Sequence, residues 1–173
     1  MLSAAEERFQ VLDPKVRQRL YLIEGTTKDL PEGISYDVVC CHSVLMYEEN
    51  WASLVCELVG LLRTEGLLSV ACVNPDASAI CLGREKRWRE VIASITTGQW
   101  CDPRCVPSND ISRSALLQEL ESIGISQLAW YGVGIFEGGS SEESFAAEWL
   151  AGSTDPYRSV ARSYHVIGQR VSV

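Results

Sequence analysis

Basic residues and long apolar runs are both scarce in this sequence. Its 173 residues contain 15 Lys and Arg against 23 Asp and Glu, which gives a formal net charge of -8. Proteins that bind nucleic acid over a wide surface are usually basic, so this balance disfavours a large phosphate-contacting face. No apolar run approaches the ~20 residues that a bilayer requires, and no signal-peptide pattern follows Met1. We therefore expect a cytoplasmic protein with no membrane contact.

Metal-ligand patterns are also sparse. The chain has two histidines, His42 and His165, and seven cysteines, an odd number that does not suit a disulfide framework. Cys101 and Cys105 have the spacing of one half of a zinc site, but a structural zinc needs four ligands in paired spacings. Both histidines lie far from that pair in the sequence. The sequence therefore predicts no metal site.

What remains is the composition of an ordinary globular domain with an alternating α/β pattern. Hydrophobic residues make up 46% and charged residues 22%, as in soluble domains with one core. Short apolar runs predict strands at Leu20–Ile23, Tyr36–Cys41 and Leu67–Val73. Apolar residues at helical spacing predict a helix over Glu48–Arg63, between the last two strands. A strand, a helix and a strand with short connections form a right-handed crossover unit, which pairs the two strands in parallel.

The second half of the chain is predicted to continue the same domain, because no repeat or linker separates it from the first half. A loop is expected over Gln99–Asn109. The predicted elements are, in order, helix Arg84–Thr97, helix Ser112–Ile123, strand Gln127–Phe136, helix Glu142–Leu150 and strand Tyr164–Val171. Residues 1–173 are therefore interpreted as a single domain.

Three motifs in the first half resemble the class I S-adenosylmethionine-dependent methyltransferases. The segment Ser35–Tyr47 resembles the signature of the family's fourth strand, and Gly25–Pro31 resembles the loop after its third strand. Leu61–Val70 is similar to the Leu-Arg-Pro-Gly-Gly turn that enters the fifth strand. The resemblance implies a Rossmann-like α/β fold, with a mixed sheet and an antiparallel pair of carboxy-terminal strands. It also implies S-adenosylmethionine as the cofactor.

A weaker resemblance extends along most of the chain to one branch, the bacterial tRNA 5-carboxymethoxyuridine methyltransferases. It is carried by His42–Leu45, Asn74, Gly132–Phe136 and Tyr164–Val166. It implies methyl transfer to a carboxylate on a tRNA wobble uridine. Gly134 and Gly138 stand where that branch has an arginine and an acid, so two alternatives stay open. One is a small-molecule methyltransferase, and the other is a non-catalytic remnant or interaction module that needs a partner chain.

The resemblance also implies which residues form the site. Asp29 would accept hydrogen bonds from the adenine amino group, and the backbone amides of Thr27, Lys28 and Asp29 would donate to the ring nitrogens. His42, at the end of its strand, would face the methyl donor in a positioning role, and Asn74 would lie near the substrate. The plain alternatives are that Asp29 only caps nearby amides and that His42 is a satisfied core residue.

Two parts of the family pattern do not appear in the sequence. These are the glycine-rich loop after the first strand and the acid after the second strand, and Met1–Ser3 resembles the start of the helix that follows that acid. The resemblance therefore implies a partial domain with doubtful activity. Its strand Tyr36–Cys41 would have a bare inner edge, and an apolar bare edge favours association with another copy.

The missing loop and acid lead to a prediction about cofactor affinity. We expect the 173-residue chain to bind S-adenosylmethionine with a dissociation constant no better than about 1 mM, or roughly 4 kcal/mol. Isothermal titration calorimetry measures this directly, and low-micromolar binding would contradict it.

Overall fold

The structure is a computed structural model that describes residues 2–97, 109–136 and 139–171. The chain divides into two compact units, Met1–Ile34 and Ser35–Val173. The first unit contains helix α1 (Leu2–Gln10), helix α2 (Pro14–Arg17) and a 3-10 turn at Thr27–Asp29. Among the described residues, no helix is long and apolar enough to cross a membrane.

The predicted strand at Leu20–Ile23 is wrong. These residues have no regular structure, and their exposed fractions range from 43% for Leu20 to 83% for Tyr21. A strand is stable only when its backbone groups pair with a neighbour, and the described residues supply none for this run. Apolar composition alone therefore does not make it a strand.

The second unit contains one four-stranded sheet and its helices. The remaining elements are β1 (Tyr36–His42), α3 (Trp51–Gly60), β2 (Leu62–Val73), α4 (Ser78–Arg84), α5 (Trp88–Thr97), α6 (Arg113–Ser122), β3 (Ile125–Val133), α7 (Glu142–Gly152) and β4 (Ser163–Arg170). The strand order is β1-β2-β4-β3. β1 and β2 are parallel and joined through α3, whereas β4 lies between β2 and β3 and is antiparallel to both. The predicted crossover unit and the predicted antiparallel pair are both confirmed.

One face of the sheet carries the core. Alternate residues of β2 and β4 point to this face and pack against α3 and α6. The buried cluster includes Leu68, Val70 and Cys72 of β2, Tyr164 and Val166 of β4, Val55 and Leu58 of α3, and Leu116 and Leu120 of α6. The hydroxyl of Tyr164 donates to the carbonyl of Ile111 at 2.8 Å, and burial raises the pKa of this phenol far above its usual value. Tyr164 therefore stays neutral within the core.

The predicted helix over Arg84–Thr97 is observed as α5, which begins later than predicted, at Trp88, and ends at Thr97. A separate helix that was not predicted, α4, covers Ser78–Arg84. Lys86 has a φ of 60°, which ends helical geometry between them. The hydroxyls of Ser78 and Ser94 form a buried 2.6 Å hydrogen bond that joins the two helices. A local helical pattern cannot reveal this tertiary contact.

β1 is an edge strand of the described sheet, and Val38 in it is 52% exposed. We expect the chain to form dimers or larger oligomers through this edge, because an open apolar strand edge pairs readily with another. Val38→Lys should shift it towards the monomer. Leu128→Lys, at an exposed position of the opposite edge strand β3, is the matched control and should leave the mass unchanged.

Size-exclusion chromatography with light scattering measures these masses, and circular dichroism checks that each variant is folded. A wild-type chain that is monomeric and unfolds cooperatively would refute association through β1.

Candidate functional site

A row of polar and aromatic side chains crosses the face of the sheet opposite the core. Strand register places His42 of β1 beside Ala71 of β2, Ala71 beside His165 of β4, and His165 beside Tyr131 of β3. Paired residues share a face of the sheet, so these side chains project on one side. His42 is the last residue of β1, at the carboxyl end of the parallel strands. In open α/β sheets this edge is where ligands bind.

Ser69 joins the two histidines. Its hydroxyl oxygen lies 2.8 Å from Nε2 of His42 and 2.7 Å from Nε2 of His165, and the ring centroids are 5.2 Å apart. Ser69 is buried, His165 is half-buried and His42 is exposed. We call these three residues the histidine–serine chain.

The histidine–serine chain constrains the protons of its members. A serine hydroxyl carries one hydrogen, so it donates to one neutral imidazole and accepts from the other. The two rings therefore hold different tautomers when both are neutral. Partial burial, followed by the charge of His42, lowers the pKa of His165 below 6.5. His165 is thus neutral at physiological pH.

An aromatic groove lies beside His165. The centroid of the Tyr131 ring is 6.3 Å from that of His165 and 6.1 Å from that of Trp149. The Tyr131 and Trp149 rings stack with an interplanar angle of 27°. The groove has a volume of about 350 Å³, and its other lining residues are Gly132, Val133, Phe145, Glu148 and Gly152. That volume falls within the range of small-molecule sites.

Glu148 is the carboxylate of this groove, and three consecutive amides bind it. Oε1 accepts from the Gly134 and Ile135 amides at 2.7 and 2.9 Å, and Oε2 accepts from the Phe136 amide at 2.9 Å. Gly134 has a φ of 76°, a left-handed conformation that suits glycine. Desolvation raises the pKa of Glu148, but the three amides outweigh it and lower that pKa overall. The charge of Glu148 is therefore satisfied within the protein.

In the first unit, Thr27, Lys28 and Asp29 form the 3-10 turn. The Thr26 amide and hydroxyl both donate to Oδ2 of Asp29, at 2.7 and 3.0 Å. These bonds lower the pKa of Asp29, so the exposed carboxylate is ionised. The Lys28 amide donates to the Thr26 hydroxyl at 3.3 Å, and the Asp29 amide donates to the Thr26 carbonyl at 3.1 Å. Asp29 thus caps its own turn, as the plain alternative expected, and it keeps further acceptor capacity because a carboxylate has two oxygens.

Asn74 joins the end of β2 to the segment before β4. Its side-chain amide donates to the carbonyls of Ser159 and Ala161 at 3.1 and 3.0 Å, and its oxygen accepts from the Asp76 amide at 3.2 Å. Asn74 is 6% exposed. These bonds occupy both amide hydrogens, and a contact with substrate stays a prediction.

Sequence reasoning selected His42 but missed Ser69, His165 and Glu148 as site residues. The signal for His165 was available, because the sequence has just two histidines and one of them lies in the predicted strand Tyr164–Val171. The described residues contain no group of three or more His, Cys, Asp or Glu that could hold a metal ion. Cys101 and Cys105 lie outside the described residues.

Comparisons with known proteins agree on the fold. Residues 1–70 match the methyltransferase domain family. A SAM-dependent methyltransferase of Thermotoga maritima is 14% identical and covers 90% of this chain and 67% of its own, with a TM-score of 0.54. The [4+2]-cyclase SpnF is 14% identical, and the match covers 99% of this chain and 61% of SpnF, with a TM-score of 0.54. The Haloferax volcanii putative methyltransferase solved with the Trm112 methyltransferase activator is 14% identical. The match covers 91% of this chain and 67% of that protein, with a TM-score of 0.52.

No curated protein matches the sequence. The chain spans 61–67% of the length of these three structural neighbours. At 14% identity the likeness establishes the fold, which is the Rossmann-like methyltransferase fold with a mixed sheet. This confirms the fold that the sequence motifs implied, whereas the likeness to the tRNA-modifying branch has no support among these matches.

The bonds of Glu148 generate a stability prediction. Glu148→Ala should lower the free energy of unfolding by about 2 kcal/mol, because three amides lose a charged acceptor. Glu121→Ala, at an exposed position of α6, should change it by less than about 0.5 kcal/mol. Urea denaturation measures both.

The same bonds predict that the stability of the fold depends on pH. The folded-state pKa of Glu148 lies below its ordinary value of 4.5. Its stabilisation is therefore complete above pH 4.5 and is lost as the pH falls through the lower, folded-state value. Equal unfolding free energies for wild type and Glu148→Ala at neutral pH would contradict this assignment.

Proposed function

We propose that this protein transfers a methyl group from S-adenosylmethionine to an acceptor bound beside the histidine–serine chain. The observation that supports the proposal is the position of the histidine–serine chain. It lies at the carboxyl end of the parallel strands, on a methyltransferase fold. Ligands of open α/β sheets bind at that edge.

The turn at Thr27–Asp29 supplies the proposed adenine contact. An ionised carboxylate is an acceptor only, which suits the two hydrogens of an adenine amino group. The Asp29 carboxylate is exposed and keeps acceptor capacity beyond its bonds to Thr26, which supports this role. The amides of Lys28 and Asp29 already donate within the turn, so the proposal assigns the recognition to the carboxylate. Thr27 and Lys28 then serve chiefly to shape the turn.

His42 and Asn74 would position the reacting groups. The cofactor supplies a methyl group already activated on a sulfonium, so the chain's main contribution is alignment of the acceptor with that carbon. His42 is exposed at the end of β1, and its ring is fixed by the 2.8 Å bond to Ser69. Asn74 would act indirectly, by fixing the segment before β4 that leads into His165.

The methyl acceptor has two candidates, and one observation favours the small molecule. In the tRNA-modifying branch, an arginine at the position of Gly134 would suit a carboxylate or phosphate. Here that loop directs its amides to Glu148, so an anionic acceptor finds neither the arginine nor those donors. The net charge of -8 points the same way. Nucleoside analysis of tRNA from a deletion strain tests the wobble-uridine alternative, which requires loss of the methyl ester.

A partner chain is the third alternative. The Haloferax volcanii neighbour was solved with the Trm112 activator, and β1 presents an open edge that a partner strand could extend. A non-catalytic module of this kind would bind its partner without binding the cofactor. Cofactor titration with and without candidate partners separates it from an enzyme.

The proposed adenine contact predicts the effect of one substitution. In a form of the protein that also carries the family's glycine-rich loop, Asp29→Ala should weaken S-adenosylmethionine binding by about 1–3 kcal/mol, through loss of charge-assisted hydrogen bonds. Asp110→Ala, which removes an exposed carboxylate before α6, should leave binding unchanged. Calorimetry measures both.

Because Asp29 also caps its turn, a second control is needed. Thr26→Val removes the hydroxyl from the turn but keeps the carboxylate, so it should weaken binding less than Asp29→Ala. Equal losses from Thr26→Val and Asp29→Ala would show that Asp29 acts through the turn and does not contact the cofactor.

A further inference from the structure

The histidine–serine chain extends from the aromatic groove to an exposed ring. His165 lines the groove, Ser69 is buried behind it, and His42 is exposed at the end of β1. The two Nε2···Oγ distances, 2.7 and 2.8 Å, are those of good hydrogen bonds. A role for His42 in cofactor contact alone does not explain why a buried serine connects it to a second histidine.

We propose that the aromatic groove binds a neutral aromatic molecule with a hydroxyl group as methyl acceptor, and that His165 accepts its proton and passes it through Ser69 to His42. This inference rests on the proposed function and names its acceptor class.

The residues that line the groove are the reason to expect a flat, neutral ligand. Tyr131 and Trp149 stack on one another, and Trp149 is 76% exposed, so its ring has free surface for a further aromatic group. Phe145 adds another exposed ring on the same helix. Glu148 already has three amide donors, so it offers little to a cation, and those amides are not available to an anion.

The histidine–serine chain is the reason to expect a hydroxyl group on the ligand. Nε2 of each histidine faces Ser69, and none of the described residues bonds to Nδ1 of His165. We assign the Nε2–H tautomer to His165, which donates to Ser69, and the Nδ1–H tautomer to His42, which accepts from Ser69 at Nε2. Nδ1 of His165 is then a bare acceptor for a ligand proton.

The step balances without any further reactant. The acceptor oxygen forms a bond to the methyl carbon while the carbon–sulfur bond breaks and its electron pair stays on sulfur. The hydroxyl proton moves to Nδ1 of His165, the Nε2 proton of His165 moves to Ser69, and the Ser69 proton moves to Nε2 of His42. His42 becomes an imidazolium and releases a proton to solvent, to which it is exposed.

The titratable groups that face His165 are consistent with this direction. They are His42 on β1, Tyr131 on β3 and Glu148 on α7. Burial and the neighbouring His42 lower the pKa of His165, and His42 is the more exposed of the two rings. The proton therefore moves from the buried ring towards the exposed one.

The first test uses nuclear magnetic resonance of the chain without cofactor. Since the sequence has two histidines, a long-range proton–nitrogen spectrum reports both tautomers without overlap. At mildly alkaline pH we expect His165 as Nε2–H and His42 as Nδ1–H, and Ser69→Ala should abolish this complementary pair. The same tautomer on both rings, or the reverse assignment, would overturn the relay.

The second test measures ligand class with three probes of similar size, namely 4-methylphenol, benzoate and benzylammonium. We expect 4-methylphenol to bind most tightly and to shift the His165 resonances. Trp149→Ala should weaken its binding about three- to tenfold, as expected for loss of one stacking contact. Trp88→Ala, which removes another exposed tryptophan, in α5, is the matched control and should have no effect.

Each remaining outcome counts against the inference. Tighter binding of benzoate would indicate an anion site, and tighter binding of benzylammonium would indicate that Glu148 recognises cations. Equal effects of Trp149→Ala and Trp88→Ala would place the ligand outside the groove. Because neither test contains S-adenosylmethionine, their failure is distinct from a failure of the proposed methyl transfer, which is measured with the cofactor.

Discussion

The insertion of β4 between β2 and β3 is the constraint on which the rest of the second unit depends. It buries Tyr164 and Val166 on the core face and, by the alternation of a strand, directs His165 to the opposite face. The same register brings His165 within 2.7 Å of Ser69, a residue 96 positions away in the chain. A slip of one residue would move His165 into the core and break the hydrogen-bond chain, so packing and site chemistry are determined together.

A second feature of the site is that its carboxylate, Glu148, is bound by backbone amides of the protein itself. Glu148 binds the amides of Gly134, Ile135 and Phe136, which joins α7 to the end of β3 and keeps Trp149, the next residue, beside Tyr131. Arg84 of α4 donates to the Ile135 carbonyl at 3.1 Å from the other side. The three loop amides are thereby used within the protein, to build one wall of the aromatic groove.

Sequence reasoning predicted the elements that depend on local pattern and on motif. β1, β2 and α3 were expected because apolar runs and helical spacing are visible along the chain, and the antiparallel β3–β4 pair was implied by the family resemblance. The strand at Leu20–Ile23 failed because pairing is not a local property. The helix predicted from Arg84 begins at Trp88, because the positive φ of Lys86 separates it from α4. His42 and Asp29 came from motifs, whereas Ser69 and His165 become a site only through register between distant strands.

The fold itself does not decide the reaction, since one neighbour of equal TM-score is a [4+2]-cyclase and another is a methyltransferase. The decision must come from the residues at the carboxyl edge of the sheet. A cycloaddition joins carbon atoms without releasing a proton, so it has no use for a path that removes one. Methyl transfer to a hydroxyl group releases a proton, and a chain from half-buried His165 through Ser69 to exposed His42 provides a route for it. The arrangement of these three residues therefore supports the proposed group transfer over cyclisation.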